Sequence, residues 1–293
     1  MAIMKCVKKV LKYLPDEHYI RLQYLCRLRK PLRLRNPQTF NEKLQWLKLY
    51  DRDPLYTRMV DKYEAKRIVT QAIGEGYTAV NYGVWNRPEE IDFSALPSRF
   101  VLKTTHDCGG AYICRDKSRL IQGEALTPDG EAVLRMLDIH LQEDYYFQSR
   151  EWPYHNVPRR ILAEEYLENP GQGSLLVYKV FCFGGIPELI QVIQDDKTDR
   201  ETIDYFDCEW NLLELRQDFP NSASHLPKPE RLEEMLSLSS KLAGTRPFIR
   251  IDWYMVDGRL LFSEFTLYSD AGMAPFTPEI WDEKLGEKIQ LPA

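Results

Sequence analysis

Three stretches of the chain combine residue types that handle phosphates and carboxylates. The first runs from the apolar Phe100-Val101-Leu102 through Lys103 into Thr104-Thr105-His106-Asp107-Cys108-Gly109-Gly110. A strand that delivers a lysine into a polar loop ending in two glycines could bring main-chain N–H groups against phosphate oxygens, with the ammonium neutralising one of them. It is not a Walker A loop, since GxxxxGK[ST] is absent, and the glycine pair alone would serve equally as a hairpin turn. The second stretch, Arg160 to Pro170, carries Glu164, Glu165, Tyr166, Leu167 and Glu168 after an apolar run. Main chain there could pair with a purine while a carboxylate accepts an amine or a ribose hydroxyl, although solvated acids at a strand end are an equal alternative. The third spans Arg250 to Thr266, two β-like runs around Asp257-Gly258, with Asp252 on one and Glu264 on the other.

Two carboxylates on one face would suit a Mg²⁺–nucleotide site, because hard cations take carboxylate and phosphate oxygens together. Register decides whether they share that face. A two-residue Asp257-Gly258 loop pairs Asp252 with Ser263 and turns Glu264 away, whereas a three-residue loop starting at Val256 sets Arg250, Asp252, Glu264 and Thr266 on one side. The three-residue loop is the expectation that makes a site.

The elements that must position these residues follow from periodicity. Val7, Val10, Leu11 and Leu14 predict a helix stopped by Pro15, and a second helix is expected from Asp16 to about Leu28. Thr39 with Glu42 reads as a capping box for a helix over 39–50, and residues 55–73 read as one continuing helix. Helices are also expected over 129–147 and 229–243. Strands are expected at 79–85, 100–104, 112–114, 160–166, 175–183, 189–193, 247–255 and 260–267. Strands interrupted by a few helices predict an α+β (α/β) architecture.

Composition sets the outer limits. The 293 residues carry 39 basic and 44 acidic side chains, a net charge of −5, with 44% apolar and 28% charged residues. That is globular composition with enough chain for a large core. Residues 1–39 hold five Lys and five Arg against Asp16 and Glu17, a local +8 that leaves −13 for the remainder. This balance disfavours a uniformly basic nucleic-acid protein and no nucleic-acid partner is expected, while the basic arm is either a solvated face or a docking surface for an anionic membrane or glycan. The six cysteines form no CxxC pair and the five histidines are scattered, so reduced thiols, a cytoplasmic location and no His-based metal site are expected. No apolar run is long enough to span a membrane.

The order of Asp61-Lys62, strand-borne Lys103 before a glycine loop, Glu164-x-Tyr166-Leu167, Arg250-x-Asp252 and Glu264-x-Thr266 resembles the ATP-grasp enzymes. TFNEKLQWLKLYDRDPLYTRMVDKYEAKRIV, YKVFCFGG, FIRIDWYMVDGRLLFSEFT and TPEIWDEKLGEKIQLP are similar to its TupA-like branch, named for teichuronopeptide biosynthesis, from about Leu14 to the C-terminus. The resemblance implies an ATP-grasp fold in which ATP lies between two α+β subdomains, with parts at 1–60 (basic helices), 61–170 (glycine-loop part) and 171–293 (metal-strand part). It implies Lys62 and Lys103 on the α/β-phosphates and His106, Gly109 and Gly110 closing over the β/γ end. Glu164, Glu165 and Leu167 would surround adenine, and Glu168 would meet the ribose. Asp252 and Glu264 would hold Mg²⁺, with Thr266 where many relatives carry Asn. Arg250 would stabilise charge in the reaction and Lys179 would reach the γ-phosphate. Two departures stand out: Val177 where an acid is expected before the Tyr-Lys pair, and Asp107, which repels phosphates unless it turns away or binds metal.

From these features the expected activity is a carboxylate–amine ligase that forms an amide through an acyl phosphate. Its substrates would be a uronic acid of a cell-surface polysaccharide, such as a capsule, or of its precursor, and an amino acid or amine. A kinase of a glycan hydroxyl, a glycosyltransferase and a non-catalytic ATP-binding scaffold are the alternatives. Substrate-facing loops are expected within 186–226, with Arg200, Asp204 and Tyr205 toward the carboxylate, and the basic arm is expected to allow peripheral contact at the inner face of a membrane.

Overall fold

The computed structural model describes residues 12–123, 125–169 and 175–292. Most of the first predicted helix, residues 4–14, lies outside them. Helix α1 covers Asp16–Leu28 and α2 covers Phe40–Tyr50. The capping box forms as read: Thr39 accepts the Glu42 N–H at 3.3 Å and the Glu42 carboxylate accepts the Thr39 N–H at 3.3 Å. The predicted helix over 55–73 is two helices, α3 (Leu55–Val60) and α4 (Lys62–Ile73), broken at an extended Asp61. Asp61 caps α4 by accepting the Tyr63 N–H at 2.9 Å, and its second oxygen takes Arg160 Nη2 at 2.6 Å. A cap and a buried ion pair together outweigh the helical propensity of one residue.

A four-stranded antiparallel sheet follows, built from β1 (Asn81–Trp85), β2 (Phe100–Thr104), β3 (Ala111–Cys114) and, later in the chain, β6 (Ile161–Glu165), in the order β1-β6-β2-β3. A small ribbon of β4 (Ile121–Gln122) and β5 (Ala125–Leu126) precedes α5 (Pro128–Gln142). Helix α5 buries Val133, Leu137 and Leu141 with Phe100, Leu102 and Ala163 of the sheet. The predicted helix over 129–147 ends at Gln142, and Tyr146–Ser149 form a separate turn, α6.

The second sheet has five antiparallel strands: β7 (Val177–Phe183), β8 (Ile186–Gln194), β9 (Thr202–Phe206), β10 (Phe248–Val256) and β11 (Arg259–Thr266), ordered β11-β10-β7-β8-β9. Strand β9 lies where variable loops were expected. Helices α7 (Leu232–Ala243) and α8 (Ile280–Lys288) complete the chain. Alternation along β10 sorts its side chains onto two faces. Ile249, Ile251 and Trp253, fully buried, lie on the α7 side, where Trp253 Nε1 donates to Ser239 Oγ at 2.8 Å. Phe248, Arg250, Asp252 and Tyr254 take the opposite face, which changes from apolar to charged along the strand. Phe248 packs edge-on against Phe40 of α2 at 5.0 Å. Helices α2, α3 and α4 therefore share the core of the larger sheet, and the packing does not divide at residue 61.

Candidate active site

The charged face of β10 is the floor of the site. The hairpin adopts neither of the two registers expected from sequence alone. Its loop is the two-residue Asp257-Gly258 turn, both residues left-handed at φ 49° and 71°, and it pairs Val256 with Arg259. An extra residue, Ser263, then bulges from β11, so that Asp252 faces Glu264 and Arg250 faces Thr266. The four side chains share a face as required, through a bulge and not through a longer loop.

Arg250 binds Asp252 with a fork, Nε to Oδ1 and Nη2 to Oδ2, both at 2.8 Å. It also donates to Ser269 Oγ at 2.9 Å and Thr266 Oγ1 at 3.1 Å, leaving one guanidinium N–H for a ligand. Lys179, opposite Asp252 on β7, keeps its ammonium 3.8 Å from Asp252 Oδ2. Burial pushes the Asp252 carboxyl above its usual range, and Arg250 and Lys179 pull it back. Glu264 stands in a deep cleft that solvent still reaches. Its burial is outweighed by Lys179, Arg250 and Lys62, which hold its pKa below the usual carboxylate range.

The wall opposite belongs to the smaller sheet and α4. Lys103 forms an ion pair with Glu164, whose other oxygen takes Lys66 Nζ at 2.7 Å. Burial disfavours the Glu164 charge, yet the two lysines bring its pKa down to about 2. For Lys103, Glu164 likewise outweighs burial and raises the pKa. Lys62 donates its ammonium to the Asp107 carbonyl and its backbone N–H to Thr105 O at 3.1 Å, which ties α4 to the glycine loop. Burial lowers its pKa, against the attraction of Asp107 and Glu264.

The Asp107 side chain is 4% exposed and turned inward. It accepts Thr104 Oγ1 and meets His140 Nδ1 at 2.6 Å. The expected clash with phosphates is thereby removed. Gly110 must lack a side chain, since a Cβ would run into Thr104 Oγ1 and that carboxylate. Gly109 takes φ +124°, an ordinary conformation only for glycine.

Two expected contacts need correction. His106 does not face the cleft: it is 1% exposed and its Nε2 lies 3.2 and 3.1 Å from the carbonyls of His140 and Glu143 at the end of α5. Both partners are acceptors, so Nε2 carries the proton, and burial lowers the ring's pKa. His106 shapes the loop. Glu168 is paired with Arg99, which also lies over the Tyr166 ring, and is not held free for a ribose. Glu165 gives its N–H to Val80 O at 2.9 Å and its carboxylate to Arg259 at 2.7 Å, a tie between the two sheets. Among the described residues, no partner takes the Leu167 N–H.

Sequence reasoning missed Lys66, Tyr254 and Gln191, while Tyr205, expected toward a substrate carboxylate, is fully buried in the row that continues the floor. From Asp252 and Lys179 the row runs to Gln191 and Tyr205, and Gln191 Nε2 donates to Tyr205 OH at 3.0 Å, which donates to Gln217 at 2.8 Å. Asp204, expected toward a substrate, is buried and accepts the Ser222 N–H at 3.0 Å, while Arg200 is exposed beside Asp195. Alternation along 186–194 and 202–206 was the available signal.

For Mg²⁺, the donor set is Asp252 and Glu264 on neighbouring strands, with the Thr266 hydroxyl beside them. Among the described residues no cluster of three or more His, Cys, Asp or Glu side chains is set for a metal. Two carboxylates fit Mg²⁺ that takes its remaining ligands from phosphates and water.

Two sheets with lysines and a glycine loop on one, and facing carboxylates beside an arginine on the other, make the layout of an ATP-grasp protein. The chain belongs to the TupA-like ATP-grasp family, whose sequence profile ("TupA-like ATPgrasp") matches residues 42–290. No curated protein is significantly similar in sequence. Among solved structures, the chain is similar to the ATP complex of D-alanine–D-alanine ligase from Bacillus anthracis (16% identity, 72% of this chain and 54% of that one, TM-score 0.41). It is also similar to the Helicobacter pylori D-alanine–D-alanine ligase (14%, 85% and 69%, TM-score 0.42) and to the VanG D-Ala:D-Ser ligase of Enterococcus faecalis (12%, 71% and 52%, TM-score 0.41). The chain thus spans about half the length of the first and third of these proteins. Among the described residues, no helix is long and apolar enough to cross a membrane.

Proposed function

We propose that the protein is an ATP-dependent carboxylate–amine ligase. The observation that carries this reading is the Arg250–Asp252 fork with Glu264 opposite and Lys179 alongside, facing Lys62 and Lys103 across one cleft. In this reading adenine takes its hydrogen bonds from the Leu167 N–H region. Lys62, Lys103 and the main chain of 107–110 bind the phosphates, with Lys103 leaving Glu164 to do so. Asp252 and Glu264 would hold Mg²⁺, which when bound offsets the charge repulsion between a carboxylate and the γ-phosphate.

A substrate carboxylate oxygen attacks the γ-phosphorus, the bond to the β,γ-bridging oxygen breaks, and ADP leaves. The amine nitrogen then attacks the acyl carbon, the C–O bond to phosphate breaks, and the nitrogen loses a proton to give amide and inorganic phosphate. In this reading the remaining N–H of Arg250 and the ammonium of Lys179 bind the developing negative charge. Family membership supports a uronic acid of a surface polysaccharide or its precursor as the carboxylate, and an amino acid or small amine as the nucleophile.

The test is ADP and phosphate release with Mg²⁺-ATP, pooled uronic-acid glycans and pooled amino acids, together and separately, with Lys103→Ala as control. Release that needs both pools, is lost in the variant and yields a product of amide mass supports the ligase. Release with glycan alone and a phosphorylated product means a kinase, and failure to bind ATP overturns the reading.

A further inference from the structure

Helix α1 is anchored on one side only. Ile20 and Tyr24 are buried with Leu32, Leu34 and Met273, and Tyr19 and Gln23 donate to the Gln148 carbonyl at 3.1 and 3.2 Å. The opposite stripe, residues 18, 22, 25 and 29 by helical spacing, presents Leu22 and Leu25 to water at 44% and 49% exposure, with Tyr13 at 87% just before the helix.

Arginines lie in and beside this stripe: Arg29 shares it, and Arg21 borders it on the side of residues 32–35. Arg27 pairs with Asp218 at 2.9 Å, Arg21 with Glu17 at 2.8 Å, and Lys30 with Glu279. Arg29 and Arg35 have no acidic partner among the described residues, and Arg33 comes only within 3.9 Å of Glu42. Arg21, Arg33 and Arg35 line an open hollow of about 410 Å³ beside the helix. This surface lies in the +8 arm of a chain that is otherwise −13.

Exposed leucines flanked by uncompensated guanidinium groups are the pattern of a helix that lies in a bilayer interface. Acyl chains cover the leucines and anionic headgroups pair with the arginines. A polyanionic glycan would meet the arginines but leave Leu22, Leu25 and Tyr13 in water. A second copy of the chain would cover the leucines while pressing unpaired arginines together. We propose that the outward face of α1, with the arginine-lined hollow beside it, docks the protein on an anionic lipid bilayer. The proposal does not depend on the ligase reading.

The test is co-sedimentation of the full chain with vesicles of phosphatidylcholine alone and of phosphatidylcholine and phosphatidylglycerol in equal parts. Leu22→Glu/Leu25→Glu and Arg29→Glu/Arg35→Glu alter exposed side chains, so an unchanged melting temperature verifies the fold. The expected result is binding to the phosphatidylglycerol vesicles only, weakened by salt and at least about tenfold by either double variant. Failure to bind them, or equal binding by both variants, overturns the proposal. So does binding to polygalacturonate that only the arginine variant loses, or a dimer in light scattering that the leucine variant dissolves.

Discussion

Glu164 shows how one buried acid can serve both stability and the site. It is held between Lys103 and Lys66, and its pKa falls to about 2 from an ordinary 4.5. A carboxylate depressed on folding contributes stability that is present above its unfolded pKa and is lost as pH falls toward the folded one. Glu164→Gln is therefore expected to cost about 3 kcal/mol in urea unfolding at pH 7, and the gap from wild type should shrink as pH falls from 4.5 toward 2. Lys48 works the other way. It is buried on the inward face of α2, donates to Gln45 Oε1 at 2.9 Å and Ala271 O at 2.8 Å, and burial brings its pKa to about 8. Its charge opposes folding at pH 7, so wild-type stability should rise with pH between about 8 and 10.5. Lys48→Met should reduce that rise, measured as melting temperature against pH, with the remainder coming from Lys62 and Lys66, whose pKa burial also lowers. Lys62, Lys103 and Asp252 of the candidate site were legible in the sequence because each sits in a local pattern, Asp-Lys, Lys before a glycine loop or Arg-x-Asp, whereas Lys66, which joins Glu164 from α4, was not. The orientations of His106 and Glu168 were not, because their partners lie 34 residues away at His140 and 69 away at Arg99.

Among the elements, the glycine loop and the β10–β11 hairpin show what local pattern can and cannot fix. The loop holds its shape through a buried cluster of Thr104, Asp107 and His140, with Gly110 pressed against it. Gly110→Ala should force that cluster apart, costing about 1–3 kcal/mol as overpacking does, and should weaken ADP binding in calorimetry by an order of magnitude or more. An unchanged affinity would mean that the loop does not contact phosphates. Asp257-Gly258 marked where the hairpin turns, but the expected three-residue loop is a two-residue one, and the Ser263 bulge that restores the shared face was not foreseen. A single extra residue leaves the apolar alternation intact on both sides of it, so sequence pattern gives no sign of which residue is left over. The break at Asp61 was hidden for a related reason: the helical periodicity continues through it, and the buried aspartate there is held by the Tyr63 N–H together with the Arg160 guanidinium, which comes from just before β6, 99 residues away.

On the scale of the whole molecule, the two sheets are joined on one side of the cleft by short ties: Arg259 to Glu165, the Phe262 N–H to Tyr77 O at 2.7 Å, and Asp61 to Arg160. Across the opening, Lys62 and Lys103 face Glu264 without a direct ion pair among the described residues, so in the proposed reading a Mg²⁺–nucleotide would join the lysines of one wall to the carboxylates of the other. A ligand that binds only the folded state adds stability with its concentration, about 2.7 kcal/mol at a hundredfold excess over Kd. For a chain of this size that is a rise of roughly 4 °C in melting temperature. The contributions are separable. In wild type, Mg²⁺-ATP should stabilise more than ATP with a chelator. Glu264→Gln should remove that difference while keeping the metal-independent part, because the phosphate-binding lysines remain. Lys62→Ala/Lys103→Ala should remove both, since neither a bare phosphate chain nor its metal complex would then find positive charge on the opposite wall. If Glu264→Gln leaves the Mg²⁺ increment intact, Glu264 is not a metal ligand and the two-carboxylate donor set is overturned.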